Sequence, residues 1–160
     1  MVETFGRTGV RIGFYSKEAR DFHSAPLGTI ITAEDTGNCY MFMQFSDAEP
    51  DFAPGQVLYW DGDANYRVTN KAGAIPYAAG VVTESPYDYT PVTGDYGWIQ
   101  TKGIAESIAS AAHGAGTALK PATGGKLAAG ANTDINICGF SLEPMATDAR
   151  KKWRLAIMGA

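Results

Sequence analysis

The sequence contains few of the residues that form metal and redox sites. It has two cysteines and two histidines among 160 residues. Neither Cys39 nor Cys138 has a second cysteine or a histidine beside it, so the pattern does not match a zinc site. We expect two small, buried side chains. A disulfide stays open, because sequence alone does not show how close the two Cα atoms lie.

Sequence motifs of catalysis are also missing. No Gly-x-Ser-x-Gly segment is present to hold a serine nucleophile. The segment 114–116 lacks the third glycine of a dinucleotide-binding loop, and Gly125-Lys126 lacks the other residues of a phosphate-binding loop. We therefore predict no enzymatic activity, no cofactor and no metal.

Long apolar runs and an excess of positive charge are absent as well. No apolar run approaches the ~20 residues that cross a bilayer, and the first residues do not form the apolar segment of a secretory signal. The net charge of −4 gives no reason to expect nucleic acid as a partner. We expect a protein made in the cytoplasm that binds neither membranes nor nucleic acid.

Glycine and proline, in contrast, are abundant. The chain has 19 glycines and 8 prolines, scattered without a period, which is typical of many short strands joined by turns. We find no convincing amphipathic helix. The prediction is an all-β protein with one domain over residues 27–160, a small β-barrel or β-sandwich of short antiparallel strands.

The stretch from Gly97 to Ile108 lies at the centre of this predicted sheet. Trp98, Ile99 and Ile104 suit a buried, pleated surface. A glycine inside such a run usually marks a bend, so we predict two short strands hinged at Gly103.

The other strands are predicted from short apolar runs between turns. An Asp-Gly-rich turn predicts a hairpin of 56–60 with 65–69. Residues 121–130 contain Gly124, Gly125 and Gly130, and no strand is predicted there. In 136–142, alternation places Cys138, Phe140 and Leu142 on one face. The predicted strands are 27–32, 39–45, 56–60, 65–69, 80–83, 116–120, 136–142 and 153–158.

Two of these strands, 39–45 and 56–60, are apolar on both faces. Such a strand is buried on both sides or meets another subunit. We predict a subunit interface formed by Tyr40, Phe42, Trp60 and Trp98.

Residues 1–26 differ from the rest and are predicted to form an extended N-terminal arm. Basic residues slightly outnumber acidic ones there, whereas acidic residues dominate the remainder. The arm holds too many aromatic residues for a simple flexible tail. Two interpretations stay open: the arm docks on a partner, or it packs on its own domain. The cluster formed by Arg150, Lys151, Lys152 and Arg154 likewise forms the solvated start of a strand or contacts an acidic protein surface.

From Gly55 onward, a series of short motifs follows in a fixed order. They are Gly-Gln-Val-Leu-Tyr-Trp-Asp at 55–61, Ala-Gly-Val-Val at 79–82, the segment 94–105 around Gly-Trp-Ile-Gln, Ala-Gly-Thr-Ala-Leu at 115–119 and Gly-Phe-Ser-Leu-Glu at 139–143. This order resembles the small capsid decoration, or cement, proteins of tailed bacteriophages. Residues 1–54 have no clear counterpart in that pattern.

The resemblance implies a compact, often trimeric β protein on the outside of an icosahedral phage capsid. There it would bridge copies of the major capsid protein of the same phage and stabilise the shell, after assembly in the host cytoplasm. On this basis we predict that Arg7, Arg11, Phe14 and Tyr15 of the arm contribute to docking.

A second hypothesis is a binding module, displayed on a virion or another surface, that recognises a host glycan or protein. Tyr87, Tyr89, Tyr96 and Trp98 are its candidates for stacking on a sugar.

Overall fold

The computed structural model describes residues 25–46, 52–62, 66–71, 75–84, 90–131 and 133–157, and the backbone of three two-residue strands before them. β1 (Thr4–Phe5) and β2 (Val10–Arg11) form a small antiparallel pair. The other strands of the described residues belong to one continuous eleven-stranded sheet. They are β3 (Phe14–Tyr15), β4 (Ile30–Thr32), β5 (Cys39–Phe45), β6 (Val57–Trp60), β7 (Arg67–Thr69), β8 (Ala78–Val81), β9 (Tyr96–Ser107), β10 (Ala118–Ala122), β11 (Lys126–Ala129), β12 (Gly139–Ser141) and β13 (Lys151–Ala156).

The all-β prediction is confirmed. In the described part of the chain the only helical residues form a three-residue 3₁₀ turn, Thr123–Gly125. Five strands close a barrel in the order β5, β9, β8, β6 and β7, with β7 returning to β5. The predicted hairpin of β6 with β7 is present. The pair β5–β7 is parallel, which the sequence did not predict.

The second half of the molecule extends from β9, which is also a strand of the barrel. The first half of β9 pairs with β5 through Lys102, and its second half pairs with β13 from Lys102 to Ser107. β13, β12, β10 and β11 then follow as consecutive neighbours, and we call β9 to β11 in this order the second sheet. The prediction of two strands hinged at Gly103 was therefore wrong in one respect, because β9 is one strand of twelve residues.

Gly103 nevertheless marks the point where β9 changes partners. Its φ of +109° is a conformation that residues with a side chain rarely adopt. A Cβ at this position would overlap the side chain of Asn38. Asn38 is buried, and its Oδ1 accepts a hydrogen bond from the Ile104 N–H at 3.2 Å. Because residue 103 is glycine, the buried amide of Asn38 can accept a hydrogen bond from β9 at the point where β9 no longer pairs with β5.

Three apolar clusters stabilise the two halves. The barrel holds Met43, Phe45, Phe52, Leu58 and Ile99 among others, and the rings of Phe45 and Phe52 lie 4.5 Å apart. A second cluster lies under the second sheet around Trp153, Leu155, Leu119 and Leu127. The third contains Tyr40, Phe42 and Trp98 beside β4. Truncating one such aromatic side chain typically costs about 3–5 kcal/mol.

The prediction that Cys138, Phe140 and Leu142 share one face of the strand was wrong. Cys138 is buried, but so is Gly139, and Phe140 and Leu142 are exposed. A Cβ at Gly139 would lie 2.9 Å from the Trp153 ring and would overlap the backbone of Arg154. The crowded inner position therefore requires glycine, and the next side chain points outward.

The segment 121–130, where no strand was predicted, also differs from the expectation. It contains the end of β10 and all of β11, which form an antiparallel pair around the 3₁₀ turn. β11 has one large apolar residue, Leu127, which is fully buried. Its small neighbours have low strand propensity, so the strand depends on this burial and on pairing with β10.

We predict that Gly103→Ala lowers the free energy of unfolding by about 2–4 kcal/mol, because the new Cβ meets Asn38 in an unfavourable backbone conformation. Gly37→Ala is the matched control. Gly37 also has a positive φ, +70°, but a Cβ there would meet nothing within 4 Å, so only the backbone cost of about 1 kcal/mol is expected. Urea unfolding measures both variants. Equal destabilisation would contradict a role for Asn38.

Candidate functional site

The predicted subunit-interface residues lie mainly inside the chain. Tyr40, Phe42 and Trp98 are buried in one cluster, with the rings of Phe42 and Trp98 5.1 Å apart. Trp60 is half-buried and lies edge-on to Tyr66. Three of the four apolar side chains are therefore covered without a second subunit. Trimer formation stays a prediction that rests on the family resemblance alone.

The N-terminal arm touches its own domain through β3. Phe14 pairs with Gly97 and Tyr15 pairs with Tyr96, so the backbone of β3 extends the sheet at the start of β9. Arg7 lies outside the described residues, as do the side chains of Arg11, Phe14 and Tyr15. Their predicted contribution to docking stays a prediction.

A cleft of about 460 Å³ lies where β9 leaves the barrel. Two buried amides, Asn38 and Gln100, contribute to its wall. Gln100 Nε2 donates to the carbonyls of Ile104 at 2.9 Å and Lys102 at 3.3 Å. These side chains satisfy backbone groups around the Gly103 bend, so their first role is structural.

Charges of both signs line this cleft. Arg150 forms an ion pair with Glu84 at 2.5 Å, and the hydrogen bond from Arg150, together with its charge, lowers the pKa of the Glu84 carboxyl. Glu106 and Lys152 line the cleft as well.

A larger, mainly apolar cleft of about 840 Å³ lies at the seam between the barrel and the second sheet. Trp60 and Tyr77 line its barrel side, and Ile135 and Ile157 line the other. Asp134 at its edge accepts hydrogen bonds from Lys120 Nζ at 2.9 Å and the Ala131 N–H at 2.8 Å. These contacts lower the pKa of the Asp134 carboxyl, so it is ionised and already bound within the chain.

Neither cleft presents a recognisable catalytic arrangement. Among the described residues, no group of three histidine, cysteine, aspartate or glutamate side chains is placed to hold a metal ion. No helix in the same part of the chain is long and apolar enough to span a membrane.

The structure describes two of the four sugar-stacking candidates, Tyr96 and Trp98. Trp98 is buried, and Tyr96 is half-buried with its hydroxyl 3.2 Å from Gln44 Nε2. Tyr87 and Tyr89 lie outside the described residues. A Trp98 ring enclosed by the chain offers no face to a sugar.

Sequence reasoning predicted neither cleft, and it did not single out several of the residues that line them. Gln100 carried one usable signal, since an amide inside an apolar strand needs buried hydrogen-bond partners. Asn38, Tyr77 and Ile135 carried none, because long-range strand pairing alone brings them to their clefts.

The two cysteines are free thiols in different environments. Cys138 is buried, donates to the Leu119 carbonyl at 3.4 Å, and has its pKa raised by burial to about 12. Cys39 is half-exposed, with its Sγ 3.4 Å from Thr32 Oγ1. The expectation of a buried side chain therefore holds for Cys138 and was wrong for Cys39.

We predict that iodoacetamide labels Cys39 and spares Cys138 in the folded protein at pH 8. With a pKa about 12, Cys138 is thiolate in only about one molecule in 10⁴ at that pH, and it is also inaccessible. Mass spectrometry should find one adduct on the native chain, two after unfolding, and none on native Cys39→Ser. Equal labelling rates at both positions in the folded protein would contradict the prediction.

Comparison with known proteins identifies a structural relative. No protein-family model matches the chain, and no curated protein matches it. Among solved structures, the chain is similar to the N base of the head fiber protein gp8.5 in bacteriophage phi29. The TM-score is 0.52 and the sequence identity 12%, and the match covers 73% of this chain and 92% of that chain. At this identity the likeness shows a shared β fold.

Proposed function

We propose that this chain is a structural protein of a bacteriophage virion that binds the outer surface of the capsid. The observation that carries the proposal is the fold likeness, which covers nearly the whole N base of a phage head fiber protein. The resemblance to capsid decoration proteins, which runs from about Gly55 to the end of the chain, supports the same class of function. It rests on sequence motifs and is therefore independent of the fold comparison. We propose no enzymatic activity.

In this proposal the protein stabilises the shell by bridging copies of the major capsid protein. A ligand that binds only the assembled shell stabilises it by mass action. A trimer would strengthen this effect, because the first docked protomer raises the effective concentration of the other two at their sites. A domain of paired strands suits this role, since it stays rigid while it holds two neighbours together.

The arm would contribute Arg7, Arg11, Phe14 and Tyr15 to docking. β3 fixes the arm to β9 at Phe14 and Tyr15. Contacts made by Arg7 and Arg11 would therefore act on the barrel through a short connection rather than a long tether.

We predict that the full-length protein co-sediments with purified shells of its own phage that lack it, and raises their melting temperature. Arg7→Glu/Arg11→Glu should weaken this binding by about tenfold or more. Lys126→Glu, an exposed charge reversal on β11, is the matched control and should bind like the wild type. Failure of the wild type to bind shells would refute the proposed function, and wild-type binding by the arm variant would refute the role of the arm.

We also predict that light scattering after size-exclusion chromatography gives a mass close to three chains. The resemblance implies a trimer, and the effective-concentration argument above depends on it. A mass of one chain at all concentrations would contradict this prediction, and trimers would then form only on the shell surface.

A further inference from the structure

Three exposed apolar side chains lie together on the outer face of the second sheet. Ile104, Phe140 and Leu142 are 46%, 45% and 41% exposed. Arg154 pairs with Ile104 on one side and with Phe140 on the other. Ile104, Arg154 and Phe140 therefore form one row across β9, β13 and β12. The Leu142 N–H donates to the Lys152 carbonyl at 3.1 Å, which places Leu142 in the next row.

The inner face of the sheet fixes this exposure. Ala105, Trp153 and Ser141 are direct cross-strand partners, and all three are buried. A shift of register by one residue would bring Trp153 to the surface and would force a side chain into the space kept by Gly139. A shift of register therefore cannot bury Phe140 without exposing Trp153.

The same face carries positive charge on an acidic protein. Lys152 and Arg154 point outward in alternation along β13, and Lys102 is exposed where β9 enters the second sheet. Glu106 stands opposite Lys152 and is the exposed carboxylate on the second-sheet part of β9. The chain as a whole has a net charge of −4.

We propose that this outer face, defined by Ile104, Phe140, Leu142, Lys102, Lys152 and Arg154, docks on an acidic protein surface that offers an apolar depression. Interfaces commonly place an aromatic anchor and arginine near the centre and other polar and charged side chains at the rim. Phe140 and Arg154 are the central pair, and Lys102 and Lys152 form the rim. The inference rests on the proposed function, because it takes the capsid exterior as that acidic surface.

Charge complementarity separates this occupant from a second copy of the chain. In a two-fold pairing of identical faces, the cations of one copy would lie near those of the other, and like charges oppose association. An acidic partner removes that repulsion and also explains why a net acidic chain keeps cations on this face.

The test measures the affinity of full-length variants for purified shells of the same phage that lack this protein. Phe140→Glu and Arg154→Glu should each weaken binding by about tenfold or more. The matched controls are Ile30→Glu, a 49% exposed apolar residue on β4, and Lys126→Glu on β11; both should stay within about twofold of the wild type. Wild-type affinity should also fall more steeply with salt than that of Arg154→Glu. Circular dichroism and melting curves verify that each variant is folded.

The outcomes distinguish the two proposals. If the wild type does not bind shells, the proposed function and this inference both fail. If the wild type binds and both outer-face variants bind as tightly as the wild type, the inference is overturned while the proposed function stands. If light scattering shows self-association that Phe140→Glu abolishes without a change in shell binding, the occupant is a second copy and the inference is again overturned.

Discussion

The structure depends on one strand that serves two sheets. Where its pairing with β5 stops, at Lys102, the backbone of β9 loses a hydrogen-bonding neighbour. A buried peptide group without a partner is costly, by about 1–3 kcal/mol. Asn38 and Gln100 satisfy the N–H and the carbonyl of Ile104, and Gly103 leaves room for the Asn38 side chain. Because two side-chain amides provide these hydrogen bonds in place of β5, β9 can continue from the barrel into the second sheet.

Two separate clusters cover the two apolar faces of β5. Met41 and Met43 on one face lie in the barrel core. Tyr40 and Phe42 on the other face lie with Trp98 in a cluster against which Leu27 and Ile31 pack, so these side chains are covered within one chain. The apolar side chains left exposed lie instead on the second sheet, which is open and has an outer face without a covering layer in the described part of the chain.

Composition and local pattern were sufficient to predict the fold class and most strands. The strand 39–45 was predicted with its observed bounds because it is apolar on both faces and follows a turn. β11 was missed because small residues carry little strand signal. The outward turn of Phe140 was missed because alternation does not show that Gly139 occupies a crowded inner position. The parallel β5–β7 pair and both clefts arise from long-range pairing, which local sequence patterns do not encode.

The continuity of β9 also has a mechanical consequence. A pull applied to the second sheet along the direction of its strands loads the ladder between β13 and β9 in shear. All six of its residue pairs then resist together instead of opening one after another. The same strand passes the load to β5 without an intervening loop. Such a domain would transmit tension across its whole length with little stretch before rupture.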